Sequence, residues 1–341
     1  MSQLFSPFSI KGLTLKNRTV MAPMCQYSVE AKDGIPNDWH FVHYVSRAVG
    51  GTGLIIVEMT DVEPDGRITD FDLGLWSDEH IPAYERIVKE VHKYDAKIGI
   101  QIAHAGRKAE DAIQPVGPSN IPVESDGSWK EPRPLTVEEI KNMVSKYKEA
   151  AKRAVAAGFD TIELHGAHGY LIHQFHSPSI NNRTDEYGTD LSKFGVEVIQ
   201  AVRSVMPKDM PLLLRMSAIE YIDGGYGLEH SLEIAKKYKE AGVDVFHVSS
   251  GGEAKPGKVK PANTPGYQVP FARAFKQALD VPVIAVGILE DPNHAEKVII
   301  EGDAELVAVG RGMLKDPYWA LHAEQTITGK TTPPTPYKRG F

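Results

Sequence analysis

Apolar and polar positions along the chain fall into repeating blocks: a short run of leucine and β-branched residues, a turn, then a stretch in which apolar residues recur every three or four positions. The apolar runs begin near Thr19, Gly53, Lys97, Thr161, Leu212, Val245, Val283 and Leu306. Runs such as Leu54-Ile55-Ile56-Val57 and Val283-Ile284-Ala285-Val286 have no polar face, which is how strands of a parallel sheet covered on both sides read. Between them lie amphipathic helices. The clearest spans Val137 to Ala157, with Met143, Val144, Tyr147, Ala151 and Val155 on one face, Thr136 as cap and Glu139 completing a capping box. Another opens at Ser77 or Asp78 and carries Tyr84, Ile87, Val88 and Val91 inward; Gly158 and Gly242 stand where helices should stop. Eight such units predict a (β/α)8 barrel occupying residues 1–341 as one domain. An open doubly wound sheet is the competing arrangement, but no G-x-G-x-x-G follows a strand, and Gly50-Gly51-Thr52-Gly53 precedes one instead.

Two segments exceed a minimal barrel. Leu4 to Leu15 reads as a hairpin turning at Lys11-Gly12 and suited to plug the N-terminal end of the barrel. Residues 104–135, rich in Pro, Gly and Ser, are too long for a simple connection and read as a lid loop after strand 3, while residues 331–341 form a C-terminal arm. Composition narrows the function. The 341 residues are 42% hydrophobic and 24% charged, enough to bury a large core, and a net charge of −7 with interspersed signs argues against a nucleic-acid partner. A single cysteine permits neither an intrachain disulfide nor a four-thiolate metal site. With no leader pattern and no long apolar run, the expectation is a cytoplasmic protein without a membrane partner.

In a barrel of this kind reactive groups gather where strands run into the loops that follow them. Strands 7 and 8 end in Val286-Gly287-Ile288 and Val309-Gly310-Arg311-Gly312, glycine turns with an arginine and a following helix, parts suited to a phosphate. Gln101 offers an amide to the edge of a planar heterocycle, and Arg215 a fixed positive charge; together with the phosphate site they suit FMN. Glu163 and Arg215 could instead form an ion pair inside the barrel. His165-Gly166-Ala167-His168-Gly169-Tyr170 places two imidazoles and a phenol together: two N–H donors could polarise a carbonyl while Tyr170 delivers a proton. Zinc would need third and fourth ligands at suitable spacing, and these are missing, so no metal is expected. No G-x-S-x-G supplies a hydrolytic nucleophile.

The segments Ala22-Pro23-Met24-Cys25, Gln101-Ile102-Ala103-His104-Ala105-Gly106-Arg107, His165 to Leu171, Arg183-Thr184-Asp185-Glu186-Tyr187-Gly188 and Val309-Gly310-Arg311 resemble the Old Yellow Enzyme family of flavin ene-reductases, over essentially the whole chain. Cys25 with Tyr27, and the terminal Tyr337-x-Arg339-Gly340-Phe341, resemble its bacterial thermophilic-like branch of NADPH dehydrogenases and xenobiotic reductases. The resemblance implies non-covalent FMN held by Pro23, Met24, Cys25, Gln101, Arg215, Gly287, Gly310 and Arg311, with Cys25 tuning its potential. It further implies reduction by NADPH or NADH and reoxidation by an α,β-unsaturated carbonyl compound. His165 and His168 would bind the carbonyl oxygen, hydride would pass from flavin N5 to the β-carbon, and Tyr170 would protonate the α-carbon. Tyr27 and Lys108 would line the substrate pocket, and Arg339 would reach a neighbouring active site in a homodimer or homotetramer. Two departures stand out: Thr189-Asp190-Leu191-Ser192-Lys193-Phe194 replaces an arginine-rich helix start, and Met59 replaces a small residue, which should crowd the flavin. The alternative is a non-catalytic flavin or phospho-ligand binding barrel, which would have no need of His165, His168 and Tyr170 together. A dienoyl-CoA reductase relative with an iron–sulfur cluster fails on cysteine count and length.

Overall fold

The computed structural model describes residues 2–341. Eight parallel strands form a closed ring: β1 (Thr19–Met21), β2 (Leu54–Asp61), β3 (Lys97–Ala103), β4 (Thr161–Gly166), β5 (Leu212–Ser217), β6 (Val245–Ser249), β7 (Val283–Ala285) and β8 (Leu306–Val309). Closure comes from the pairing of β8 with β1, Val307 beside Thr19 and Val309 beside Met21, which an open sheet would lack. The chain is therefore a (β/α)8 barrel, with strand starts within one residue of those read from the pattern.

Around it run α1 (Asp38–Val49), α2 (Ile81–His92), α3 (Val137–Ala156), α4 (Lys193–Arg203), α5 (Leu228–Ala241), α6 (Val269–Leu279), α7 (Pro292–Ile300) and α8 (Trp319–Thr328). Their inner faces bury Tyr84, Ile87, Tyr147, Ile199 and Phe275 against outward-facing strand residues such as Ile55, Ile100, Leu164 and Phe246. The capping box of α3 forms as the sequence implies: Thr136 Oγ1 accepts from the Glu139 amide and Glu139 Oε2 accepts from the Thr136 amide. At Ser77 the pattern is realised in two steps, a 3-10 turn (Asp78–His80) running into α2, whose second residue is a proline. The departure after Gly188 is absorbed locally. Asp185 caps the turn Glu186–Thr189, Lys193 pairs with Glu186 and Glu197, and Phe194 is buried with its ring 4.2 Å from that of Phe175.

Inside the ring a separate apolar cluster joins Val20, Ala22, Leu54, Ile56, Leu213, Val245, Ile284, Leu306 and Ala308 to Leu13 and Leu15, with Phe8 and Ile10 packed on it. The last four belong to an antiparallel hairpin, Phe8–Ile10 with Leu13–Leu15, turning through Lys11 at φ 50°. The hairpin thus stoppers the N-terminal mouth of the barrel. Residues 104–135 fold back on themselves: Val116–Gly117 pairs with Arg133–Pro134, and Arg107 donates to the carbonyls of Ile121, Pro122 and Glu253. Among the described residues no helix is long and apolar enough to cross a membrane.

Candidate active site

Above the apolar cluster the barrel interior turns polar. Glu163 on β4 is fully buried; its Oε1 accepts from Gln101 Nε2 at 2.7 Å and its Oε2 lies 2.8 Å from His247 Nδ1. Glu163 is therefore committed sideways, to β3 and β6, and not to an ion pair with Arg215. This contact also orients Gln101: a carboxylate can only accept, so the amide nitrogen faces it and the carbonyl oxygen is left free. Arg215, opposite His165 on one side and His247 on the other, is 9% exposed and has no hydrogen bond or ion pair among the described residues; its Nε is buried without a partner. A buried guanidinium in that condition costs several kcal/mol by general estimates unless a ligand completes it.

One turn higher, β4 carries His165 next to its last residue, and the chain bends through His168 at φ 59° to bring Tyr170 back beside it. The rings of His165 and His168 are perpendicular, 5.2 Å apart, and the Tyr170 ring lies 4.8 Å from His165. Burial, reinforced by the Arg215 charge, holds both histidines well below the usual imidazole range, so both are neutral at pH 7. His165 Nδ1 accepts from the Ala167 amide at 3.3 Å, which puts its single proton on Nε2. That Nε2, and Nδ1 of His168, have no partner among the described residues. Burial keeps the Tyr170 phenol well above its ordinary value and hence protonated. Lys108 lies 5.1 Å above the Tyr170 ring and donates to the carbonyls of His168 and Gly252, at 3.0 and 2.6 Å; burial and Arg107 lower it to about 8. It therefore ties the loop after β4 to the loop after β6.

On the other side of Arg215 a cavity of about 240 Å³ is lined by Pro23, Met24, Tyr267, Gln268 and the glycine turns of β7 and β8. Gly287 has φ +127° and a Cβ there would come within 3.0 Å of Gln268, so only glycine serves. Arg311 is exposed at the rim and has no ion pair among the described residues. Pro23, Met24, Arg215, Gly287, Gly310 and Arg311, all read from the sequence, thus share one cavity. Gln101 and Cys25 do not line it, but a free cation, glycine turns and an unpartnered guanidinium in one cavity fit a phosphate joined to a planar heterocycle such as FMN.

Cys25, next in the chain to the lining residue Met24, is half-buried; burial and the carboxylates of Asp72, Glu58 and Asp61 push its thiol up, so it is a neutral S–H. Its loop is held by Glu58, which accepts from the Gln26 amide at 2.6 Å and from the Tyr44 hydroxyl at 2.7 Å. Tyr27 follows at φ 50°, half-exposed. Met59 is buried in a small cluster with Ile68 and Ala103, Ala105, Ala109 and Ala112, against which Cys25 and Tyr170 pack. The row of alanines makes room for the larger side chain. Arg339 lies exposed on the arm, which is fastened by Tyr337 to Tyr318 and by Phe341 to His322 on α8. Glu163's partner His247 and the lining residues Tyr267 and Gln268 escaped the sequence reading; His247 carried a signal, a polar residue inside an otherwise apolar strand, whereas Tyr267 and Gln268 sit in a long connection. Among the described residues no group of three or more His, Cys, Asp or Glu side chains is arranged to hold a metal ion.

Comparison with known proteins places these parts. Residues 3–329 match the family model of the NADH:flavin oxidoreductase / NADH oxidase family. A Listeria innocua protein named NADPH dehydrogenase is 47% identical, covering 100% of both chains, and one from Bacillus subtilis is 44% identical over 99% of both. Among solved structures, morphinone reductase superposes with a TM-score of 0.81 at 27% identity over 98% of this chain and 92% of that one. A 2-naphthoyl-CoA reductase superposes at 0.88 with 26% identity, this chain spanning 52% of that longer one. The chain belongs to the NADH:flavin oxidoreductase / NADH oxidase family, that of Old Yellow Enzyme, and is an FMN-dependent NAD(P)H oxidoreductase.

Proposed function

We propose that this enzyme oxidises NADPH, or NADH in its place, and reduces the activated C=C bond of α,β-unsaturated carbonyl compounds. The observation that carries the reading is the pair of neutral imidazoles, perpendicular and 5.2 Å apart, each with one ring nitrogen unpartnered beside a protonated phenol. FMN, when bound, supplies the hydride acceptor and donor. Pro23, Met24, Cys25, Gln101, Arg215, Gly287, Gly310 and Arg311 would hold it, with Arg215 gaining a partner for its guanidinium and Arg311 offering its charge to the phosphate. His165 and His168 grip the substrate carbonyl oxygen and draw electron density from the alkene, so that the β-carbon becomes electrophilic. Tyr170 gives its proton to the α-carbon, and Tyr27 and Lys108 close the sides of the substrate pocket. In a homodimer or homotetramer the arm of one copy would lend its Arg339 to the next active site. A non-catalytic binder would have no use for the imidazole pair and phenol in one place.

The test is spectroscopic. The purified protein should be yellow, bleach anaerobically with NADPH and recolour with cyclohexenone. Tyr170→Phe should bleach normally but turn over alkenes about 10²–10⁴-fold more slowly. A protein that cannot be loaded with FMN, or a Tyr170→Phe variant with undiminished alkene turnover, overturns the reading.

A further inference from the structure

His165 and His168 reach the substrate position by different routes, and only one of them is secured by backbone. A neutral imidazole has one N–H and one lone pair, and the nitrogen that faces a carbonyl oxygen must carry the proton. For His165 the Ala167 amide settles this. For His168 the deciding contact is a side chain: its Nε2 lies 2.7 Å from Ser249 Oγ, at the end of β6. The Ser249 hydroxyl has a single proton and two acceptors within reach, His168 Nε2 and, at 3.2 Å, Gln268 Oε1. Gln268 is held with its oxygen toward the serines because its Nε2 donates to the Val286 carbonyl. That oxygen already accepts from Ser250 at 2.6 Å, and Ser250 can in turn accept from the Tyr221 hydroxyl at 3.1 Å. The shorter contact with the emptier acceptor is His168.

We infer that Ser249 is a positioning residue that donates to His168 Nε2 and so keeps the imidazole proton on Nδ1, aimed at the substrate carbonyl oxygen. With the hydroxyl turned to Gln268 instead, His168 would donate to Ser249 and present a lone pair to the substrate, repelling it. Ser249 thus acts through His168, and the inference rests on the proposed role of that histidine in binding the carbonyl.

The experiment uses the FMN-loaded enzyme and two readouts: the dissociation constant of 4-hydroxybenzaldehyde, followed by the change it causes in the flavin absorption, and the ring-nitrogen chemical shifts of His168 in 15N-histidine-labelled protein, assigned by their loss in His168→Ala. Ser249→Ala should weaken the ligand about tenfold, the scale of one lost neutral hydrogen bond, and move the proton toward Nε2, while Ser249→Thr should restore both. Unchanged affinity and tautomer in Ser249→Ala, with His168→Ala weakened, overturn the inference and leave the histidine reading intact. Unchanged affinity in His168→Ala as well overturns the reading of the site. Loss of flavin from Ser249→Ala with the tautomer unaltered assigns the serine to the cofactor and likewise overturns the inference.

Discussion

The lower and upper halves of the barrel interior are built from the same strands, a few residues apart, and obey opposite rules. Below, Val20, Ile56, Leu213, Ile284 and Leu306 meet the hairpin in an apolar cluster, and the buried polar side chains of Asn17 and Thr19 at that end are hydrogen-bonded to each other and to backbone. Above, Glu163 is satisfied by two neighbours while Arg215, His165 and His168 keep atoms free. The lower half is complete in itself. The upper half is complete only with a ligand, and the stability it forgoes is the source of its affinity.

This contrast can be broken at several points. Truncating the lower cluster, as in Ile56→Ala, should cost about 2–5 kcal/mol in urea unfolding, because a cavity opens where the hairpin cannot collapse into it. Affinity of the folded protein for FMN should stay the same. In the upper half the sign reverses: Arg215→Met removes an unpartnered buried charge and should raise the stability of the flavin-free protein by about 1–4 kcal/mol while weakening FMN retention, both read by thermal melts with and without added FMN. A fall in apoprotein stability would mean that Arg215 has a structural partner after all.

Glu58 sharpens the comparison through pH. It is 1% exposed, and burial raises it to about 8 from an ordinary carboxylate value of 4.5. The folded state therefore holds a proton that the unfolded chain releases between about pH 4.5 and 8, and stability falls as pH rises through that window. Glu58→Gln should flatten this fall in melting temperature, leaving the same-signed contributions of Asp61 and Asp72, which burial also raises. The smallest effect belongs outside the barrel: Thr136→Ala, which removes the α3 cap, should cost about 1 kcal/mol and leave FMN binding unchanged.

The fold was legible because closed parallel barrels leave their strands apolar on both faces, so that Leu54 to Val57 or Val283 to Ala285 announce themselves without context. The candidate site was legible where a residue type is unusual for its place, such as two histidines and a tyrosine on one strand end. It was not legible where chemistry depends on a partner distant in sequence. Nothing local in Glu163 says that it serves Gln101 and His247 rather than Arg215, since the choice is set by strand register around the ring. Ser249 ends the sixth strand, but its hydrogen bond to an imidazole 81 positions away exists only in three dimensions.

Closure of the barrel also sets a timetable for biosynthesis. β1 has to pair with β8, about 290 residues further along, so the first strand leaves the ribosome long before its neighbour on that side exists. At translation rates of 5–20 residues per second the wait is roughly 15–60 s. Throughout it the hairpin can form, being local, but the cluster it will stopper cannot. Until the eighth strand arrives, Phe8, Ile10, Leu13 and Leu15 lack the Leu306 and Ala308 side of the cluster they pack on in the finished barrel.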